Sequence, residues 1–130
     1  MIIQDIPPAF QPIHVSVYPP YSDGLYLEQR CHIYFMQHKD EIITDMIYLP
    51  IYWTSHLVVN GYDHNTPELW EWMDTLDRNE KYFTVVQSAT GVWINDNLKD
   101  LNITVFSAGG GGMNVLCDEN IREVEFNGMY

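Results

Sequence analysis

Basic residues are scarce: six Lys and Arg stand against 18 Asp and Glu, a net charge of −12, and the six never cluster. Binding of nucleic acid depends mainly on a basic footprint and the counterions it releases, so that class of partner is excluded. Cysteine is scarcer still. Cys31 and Cys117 are the only two, too few for a disulfide framework and without metal-type spacing, and they read as small buried hydrophobes of a reducing compartment. Long apolar runs are missing as well. The opening "MIIQDIPPAF" carries neither the basic segment nor the apolar stretch of a signal peptide or membrane anchor. The expectation is a soluble, cytoplasmic chain with no membrane partner, its dispersed acidic residues forming a solvated surface.

What is present suffices for one core. With 130 residues, 46% of them hydrophobic, the chain fits a single domain over 1–130. "IHVSVY" (13–18) alternates Ile13, Val15 and Val17, the period of a strand. Ser22 or Asp23 then stands where a helix would be capped, and Leu27, Cys31, Tyr34 and Phe35 form its apolar stripe, with Glu28, Arg30 and Gln37 on the outer side. Met46 to Leu49 reads as a strand buried on both faces. Pro50 cannot donate to a ladder, so the strand ends there and Trp53, Thr54, Ser55 and His56 become its outgoing loop. "TPELWEWMDTL" is the clearest helix start: Thr66 as N-cap, Pro67 in the first turn, and Leu69, Trp70, Met73 and Leu76 on one face. "KYFTVVQ" and "NITVF" (102–106) are further strands, "MNVLC" (113–117) is a short fifth, and the tail after Cys117 has no clear period.

Strands alternating with helices predict an α/β fold: an open, mostly parallel sheet with flanking helices, a half-size Rossmann-like unit. Ligands of such sheets bind beyond the carboxyl ends of the strands. That edge would collect "YPPYSDG", "YWTSH", "QSATG" and "SAGGGG". The substrate-binding candidates are accordingly Tyr21, Ser22, Trp53, Thr54, Ser55, Gln87, Thr90, Ser107, Gly109 and Gly110. Asp23, Glu28 and His56 are the candidates for a general base. Aromatic residues near the strand ends, among them Tyr18, Tyr21, Tyr52, Trp53 and Trp93, suit the apolar ring faces and polar edges of carbohydrate, although core packing uses the same residues.

Other constellations are thin. The glycine run at 109–112 lacks the spacing of a dinucleotide fingerprint or a P-loop and reads as a turn. Ser88 and Ser107 sit in small turns but in no nucleophile elbow. His32 and His38 are six residues apart, roughly 120° off a common helix face, and make no metal pair. His56, Asp63 and His64 define a metal-hydrolase alternative, set against the ordinary reading of structural histidines and no metal.

"LYLEQRCHIYF" followed by "ITDMIYLPIYWTSH" resembles the N-terminal half of exostosin-type glycosyltransferases: a Leu-Glu pair before an aromatic residue, then an Asp-led apolar strand with Pro and Tyr. Leu27-Glu28 and Asp45 through Tyr52 carry the match, and "NEKYFTVVQSATGVW" is similar to the family's next strand and small-residue turn. The likeness covers most of residues 13–94. It implies the first lobe of a two-lobed, GT-B-like enzyme, which shapes the acceptor site while a second lobe binds most of the nucleotide-sugar. The family's donor-binding acidic and basic positions have no counterpart here, so no donor residue and no cofactor is carried over. The expected partners are a carbohydrate acceptor and, with a second lobe, a nucleotide-sugar; in an inverting enzyme Asp23, Glu28 or His56 would be the base. The alternative is a non-catalytic module that self-associates into a homo-oligomer and so covers an exposed sheet edge or face.

Overall fold

The computed structural model describes residues 1–14, 25–63, 66–87, 96–107 and 122–125. Most of the strand expected at 13–18, Ser22 and Asp23 as caps, and the strand at 113–117 lie outside them. Within them the order is helix α1 (Leu27–His38), strand β1 (Ile47–Tyr48), helices α2 (Trp53–Val59) and α3 (Pro67–Met73), and strands β2 (Lys81–Val86), β3 (Asn102–Ser107) and β4 (Arg122–Glu125). Two 3-10 turns, Pro8–Phe10 and Asp96–Leu98, complete it. The four strands form one sheet in the order β1-β2-β3-β4, parallel throughout. The expected open α/β architecture with a parallel sheet and flanking helices is therefore present. Among the described residues the strand order runs without the reversal that creates a switch-point crevice in doubly wound sheets.

Alternation along the strands divides the core into two faces. On one, Leu49, Tyr82, Val86, Ile103 and Val105 pack with Ile51, Trp53, Leu69, Met73, Leu76, Leu98, Leu101 and Phe10, which sets α2, α3 and both 3-10 turns on that side. On the other, Val85 meets Leu27 and Cys31 of α1, with Phe35 and Phe106 against them. Tyr48 stacks on Phe83 at 5.2 Å between ring centroids, and Phe35 meets Tyr48 edge-on at 4.8 Å. β2 lies between the two layers, and its five residues after Lys81 are all buried, as a central parallel strand requires.

Several local expectations stand and several change. α1 begins at Leu27 with Tyr26 in the N-cap position. Its inward stripe is Leu27, Cys31 and Phe35, whereas Tyr34 is 49% exposed, its ring lying 4.3 Å from that of His38. α3 follows Thr66 and begins with Pro67. β1 is short because Pro50 follows, yet the N–H of Leu49 still reaches the Phe83 carbonyl at 2.9 Å. At its outer side Ile3 bridges Tyr48 in parallel.

Two further expectations need correction. Trp53 to His56 are the first turn of α2, not a loop. Glu28 does not face outward: it is 2% exposed. The two corrections share one cause.

Candidate functional site

α2 is built from Trp-Thr-Ser-His-Leu-Val-Val, a poor helix sequence of β-branched and short polar residues. Its start is set from elsewhere in the chain. The first N–H groups of any helix lack intrahelical acceptors, and here the Thr54 N–H donates to Glu28 Oε1 at 2.5 Å. The Thr54 side chain hydrogen-bonds the same carboxyl. One position earlier, the Trp53 indole Nε1–H donates to Thr84 Oγ1 at 2.8 Å, and that hydroxyl donates onward to the Leu49 carbonyl at 2.8 Å. A carboxylate from α1 and a hydroxyl from β2 thus hold the beginning of α2 at the carboxyl end of the sheet.

Glu28 also reaches β2. Gln87, immediately after the strand, donates its N–H to Glu28 Oε2 at 3.2 Å and accepts the N–H of Leu27 on its side-chain Oε1 at 2.7 Å. The pair is reciprocal: a helix start and a strand end each satisfy one orphan group of the other. Gln29 completes the helix start by accepting the Tyr26 N–H at 2.8 Å. Burial raises the Glu28 pKa above the ordinary carboxyl value, and its hydrogen bonds, from the Thr54 side chain first, oppose that rise. Burial therefore prevails, and the group holds its proton more tightly than an exposed glutamate.

Of the residues expected at a ligand rim, the structure brings Glu28, Thr54, Gln87 and, through Thr84, Trp53 together. Their roles differ from those expected. Trp53, Thr54 and Ser55 are 7%, 8% and 1% exposed, so their side chains are enclosed rather than offered to solvent. Ser55 Oγ is buried without a hydrogen-bond partner among the described residues. Gln87 is half-buried, and its side-chain NH2 donates to no group among the described residues. His56 stands apart from the Glu28 junction, its ring edge-on to Phe10 at 5.9 Å, and burial lowers its pKa. Ser107 ends β3 on the same sheet edge, paired in register with Val86 and Glu125. Tyr21, Ser22, Asp23, Thr90, Gly109 and Gly110 lie outside the described residues, as does His64 of the metal alternative.

Residues missed by sequence reasoning are Gln29 and Thr84, and the buried position of Glu28. The last was available. Seven residues separate Glu28 from Phe35, which places them about 20° apart around a helix, within the stripe that faces the sheet. Cys31, one turn from Glu28, is fully buried, and burial pushes its thiol up to about 12. It is thereby unsuited to nucleophilic work.

Among the described residues no group of three or more His, Cys, Asp or Glu is placed to hold a metal ion, and no helix is long and apolar enough to cross a membrane. Comparison of the chain with protein-family models, curated proteins and solved structures finds no match.

Proposed function

We propose that the chain is the acceptor-side lobe of a glycosyltransferase, a Rossmann-like half of a two-lobed enzyme. The observation that carries the reading is the junction at the carboxyl edge: the buried Glu28 carboxyl holds the start of α2 and the end of β2, and the Gln87 side chain holds the start of α1. Parallel strands direct their exits to one edge, where α/β proteins gather ligand contacts. Here that edge is held by buried Glu28, Thr54 and Thr84 and by half-buried Gln87. Gln87, whose side-chain NH2 donates to no group among the described residues, and half-exposed Tyr52 would supply the polar and aromatic contacts for an acceptor sugar. The resemblance of Leu27-Glu28 and Asp45 through Tyr52 to exostosin-type enzymes names the reaction class. Six basic residues in all agree with a lobe that does not by itself neutralise a diphosphate.

Glu28 enters this reading as a positioning residue. A general base must come within hydrogen-bond reach of the hydroxyl it deprotonates, and Glu28 is closed off by Thr54 and Gln87. The test is an NMR titration of the isotopically labelled chain with a panel of acceptor oligosaccharides, run beside an assay for transfer from labelled nucleotide-sugars. Saturable shifts at the amides of Tyr52 and Gln87, without transfer by this chain alone, are expected. Transfer by the chain alone, or silence at those amides with every acceptor, overturns the reading.

A second reading, self-association, has its own observation. Ile2, Ile33, Tyr34, Met36 and Ile43 are large apolar residues left exposed, Ile43 almost wholly. The N-terminal ammonium binds the Lys39 and Ile42 carbonyls, which brings Ile2 beside the end of α1. A stable dimer in light scattering that binds no glycan would favour this reading.

A further inference from the structure

α2, α3 and the second 3-10 turn pack on one face of the sheet; on the other, α1 supplies the side chains buried against the strands. Beside the end of α1 that face keeps a groove of about 220 Å³, walled by Phe35, Ile42, Thr44, Met46, Phe83 and Phe106. Five of the six are apolar, and Thr44 Oγ1 accepts the Met46 N–H at 3.2 Å. Such a wall suits an apolar side chain and disfavours a charged or hydroxylated ligand, which would lose its water without gaining partners.

The same loop carries the occupant. Ile43 stands between the walling residues Ile42 and Thr44 and is 99% exposed, the most exposed of the large apolar residues described. An apolar pocket of about 150 Å³ takes a benzene ring, so the four-carbon side chain of one isoleucine fits this volume. A patch that holds both a projecting side chain and a hollow of matching size and chemistry is self-complementary, which is what a two-fold interface demands.

Charge and helix geometry set the limits of the patch. Copies of a chain with net charge −12 repel one another, and contact costs least where acid and base are balanced. The loop and the start of β2 carry Lys39, Asp40, Glu41, Asp45 and Lys81, two basic residues against three acidic, where the whole chain has six against 18; Lys81 pairs with Asp45 at 2.9 Å. On α1, the His32 ring lies 5.8 Å from those of Tyr48 and Tyr52, on the β1 side. Two residues turn a helix by about 200°, so half-exposed Tyr34 lies on the opposite flank, toward β3. Met36 is only about 40° from His32 and faces away from the groove, and Ile2 sits at the outer edge of β1.

We infer that this groove is the centre of a two-fold homodimer interface, in which Ile43 of each copy enters the groove of the other with Tyr34 beside it, while Ile2 and Met36 stay outside. It rests on the self-association reading and names the surface and the anchoring residue. The experiment is sedimentation of the full chain over a dilution series, joined to NMR of a mixture in which some copies are labelled at isoleucine methyls and the others at aromatic rings. A monomer–dimer equilibrium is expected, with contacts between copies from the Ile43 methyls to the rings of Phe35, Phe83 or Phe106. Ile43→Asp should raise the dimer Kd at least about a hundredfold, because two isoleucine side chains lose their burial and each is worth about tenfold or more. The replaced side chain is fully exposed in the single copy, so the fold is kept. Met36→Gln should leave the Kd unchanged. A dimer that is insensitive to Ile43→Asp, that lacks the Ile43 contacts, or that Met36→Gln weakens as strongly overturns this interface and leaves self-association standing. Growth beyond a dimer means a head-to-tail contact and overturns the two-fold form. A chain that stays monomeric at every concentration ends both readings.

Discussion

Replacing Glu28 with glutamine isolates the charge at the centre of the carboxyl-edge junction. The two side chains have the same shape, but an amide offers one accepting oxygen where the carboxylate offers two. Glu28 accepts the Thr54 N–H at 2.5 Å on one oxygen and the Gln87 N–H at 3.2 Å on the other. Whichever way the amide is turned, one of those N–H groups loses its acceptor, at a cost of about 1–3 kcal/mol for the buried Thr54 N–H and less for the part-buried Gln87 N–H. That cost is independent of pH. The opposing gain is not, because the substitution also removes a charge that burial disfavours. Burial raises the Glu28 pKa above its ordinary 4.5, so the folded chain binds this proton more tightly than the unfolded one. Wild-type stability from this group is therefore greatest below the ordinary value and falls as pH rises through the raised one, by at most about 1.4 kcal/mol per pH unit for a single proton. The Glu28→Gln variant lacks that slope. Urea denaturation of both proteins at pH steps from acid to slightly alkaline gives the difference directly. Wild type should lose stability relative to Glu28→Gln as pH rises, then level off. A difference that is flat, or that grows in favour of wild type, would refute the claim that burial outweighs the hydrogen bonds at this carboxyl.

Thr84→Val should be costly despite its matched shape. It leaves the Trp53 indole N–H without an acceptor, at about 1–3 kcal/mol, while the Leu49 carbonyl loses the hydroxyl but keeps the Ile51 N–H. In a Trp53→Phe background, where no indole N–H remains, denaturation midpoints should show a smaller loss; equal losses in both backgrounds would mean the two groups are uncoupled. Tyr62 adopts φ +63° with its side chain exposed, so Tyr62→Gly should stabilise the chain by about 0.5–1 kcal/mol, read from the same midpoints. Cys31, buried and with its thiol pushed up to about 12, should resist alkylation in the native protein at mildly alkaline pH and react once denaturant is added. Peptide mapping separates it from Cys117, and rapid native labelling of Cys31 would contradict its burial.

The elements legible in the sequence are those whose cause is local. β2 and β3 announce themselves by runs of β-branched and aromatic residues, and α3 by Thr66-Pro67 ahead of a regular apolar stripe. α2 carries no such signal. Its residues favour an extended chain, and what makes them helical is an acceptor 26 residues away, Glu28 for the Thr54 N–H, and another 31 residues away, Thr84 for the Trp53 indole. Propensity is a weak prior, and tertiary hydrogen bonds override it here. β4 was hidden for a related reason: Arg-Glu-Val-Glu has too few apolar residues to read as a strand, and it is one because β3 offers it a parallel edge.

The same physics divides the candidate site into what a reader of the sequence sees and what it conceals. Parallel strands oblige their exits to share an edge, so the place was predictable from the order of elements. The chemistry was not, because polar residues at a crowded edge are recruited first to satisfy helix ends and strand ends. Trp53, Thr54 and Glu28 look like ligand contacts by type, yet each is spent on the backbone or side chain of a neighbouring element. Buried polar groups that lack partners destabilise a fold by more than paired ones stabilise it; the structural claim on such residues therefore precedes the functional one. Contacts for a ligand must come from groups left over after that claim is met. Among the described residues at this edge they are the Gln87 side-chain NH2 and half-exposed Tyr52.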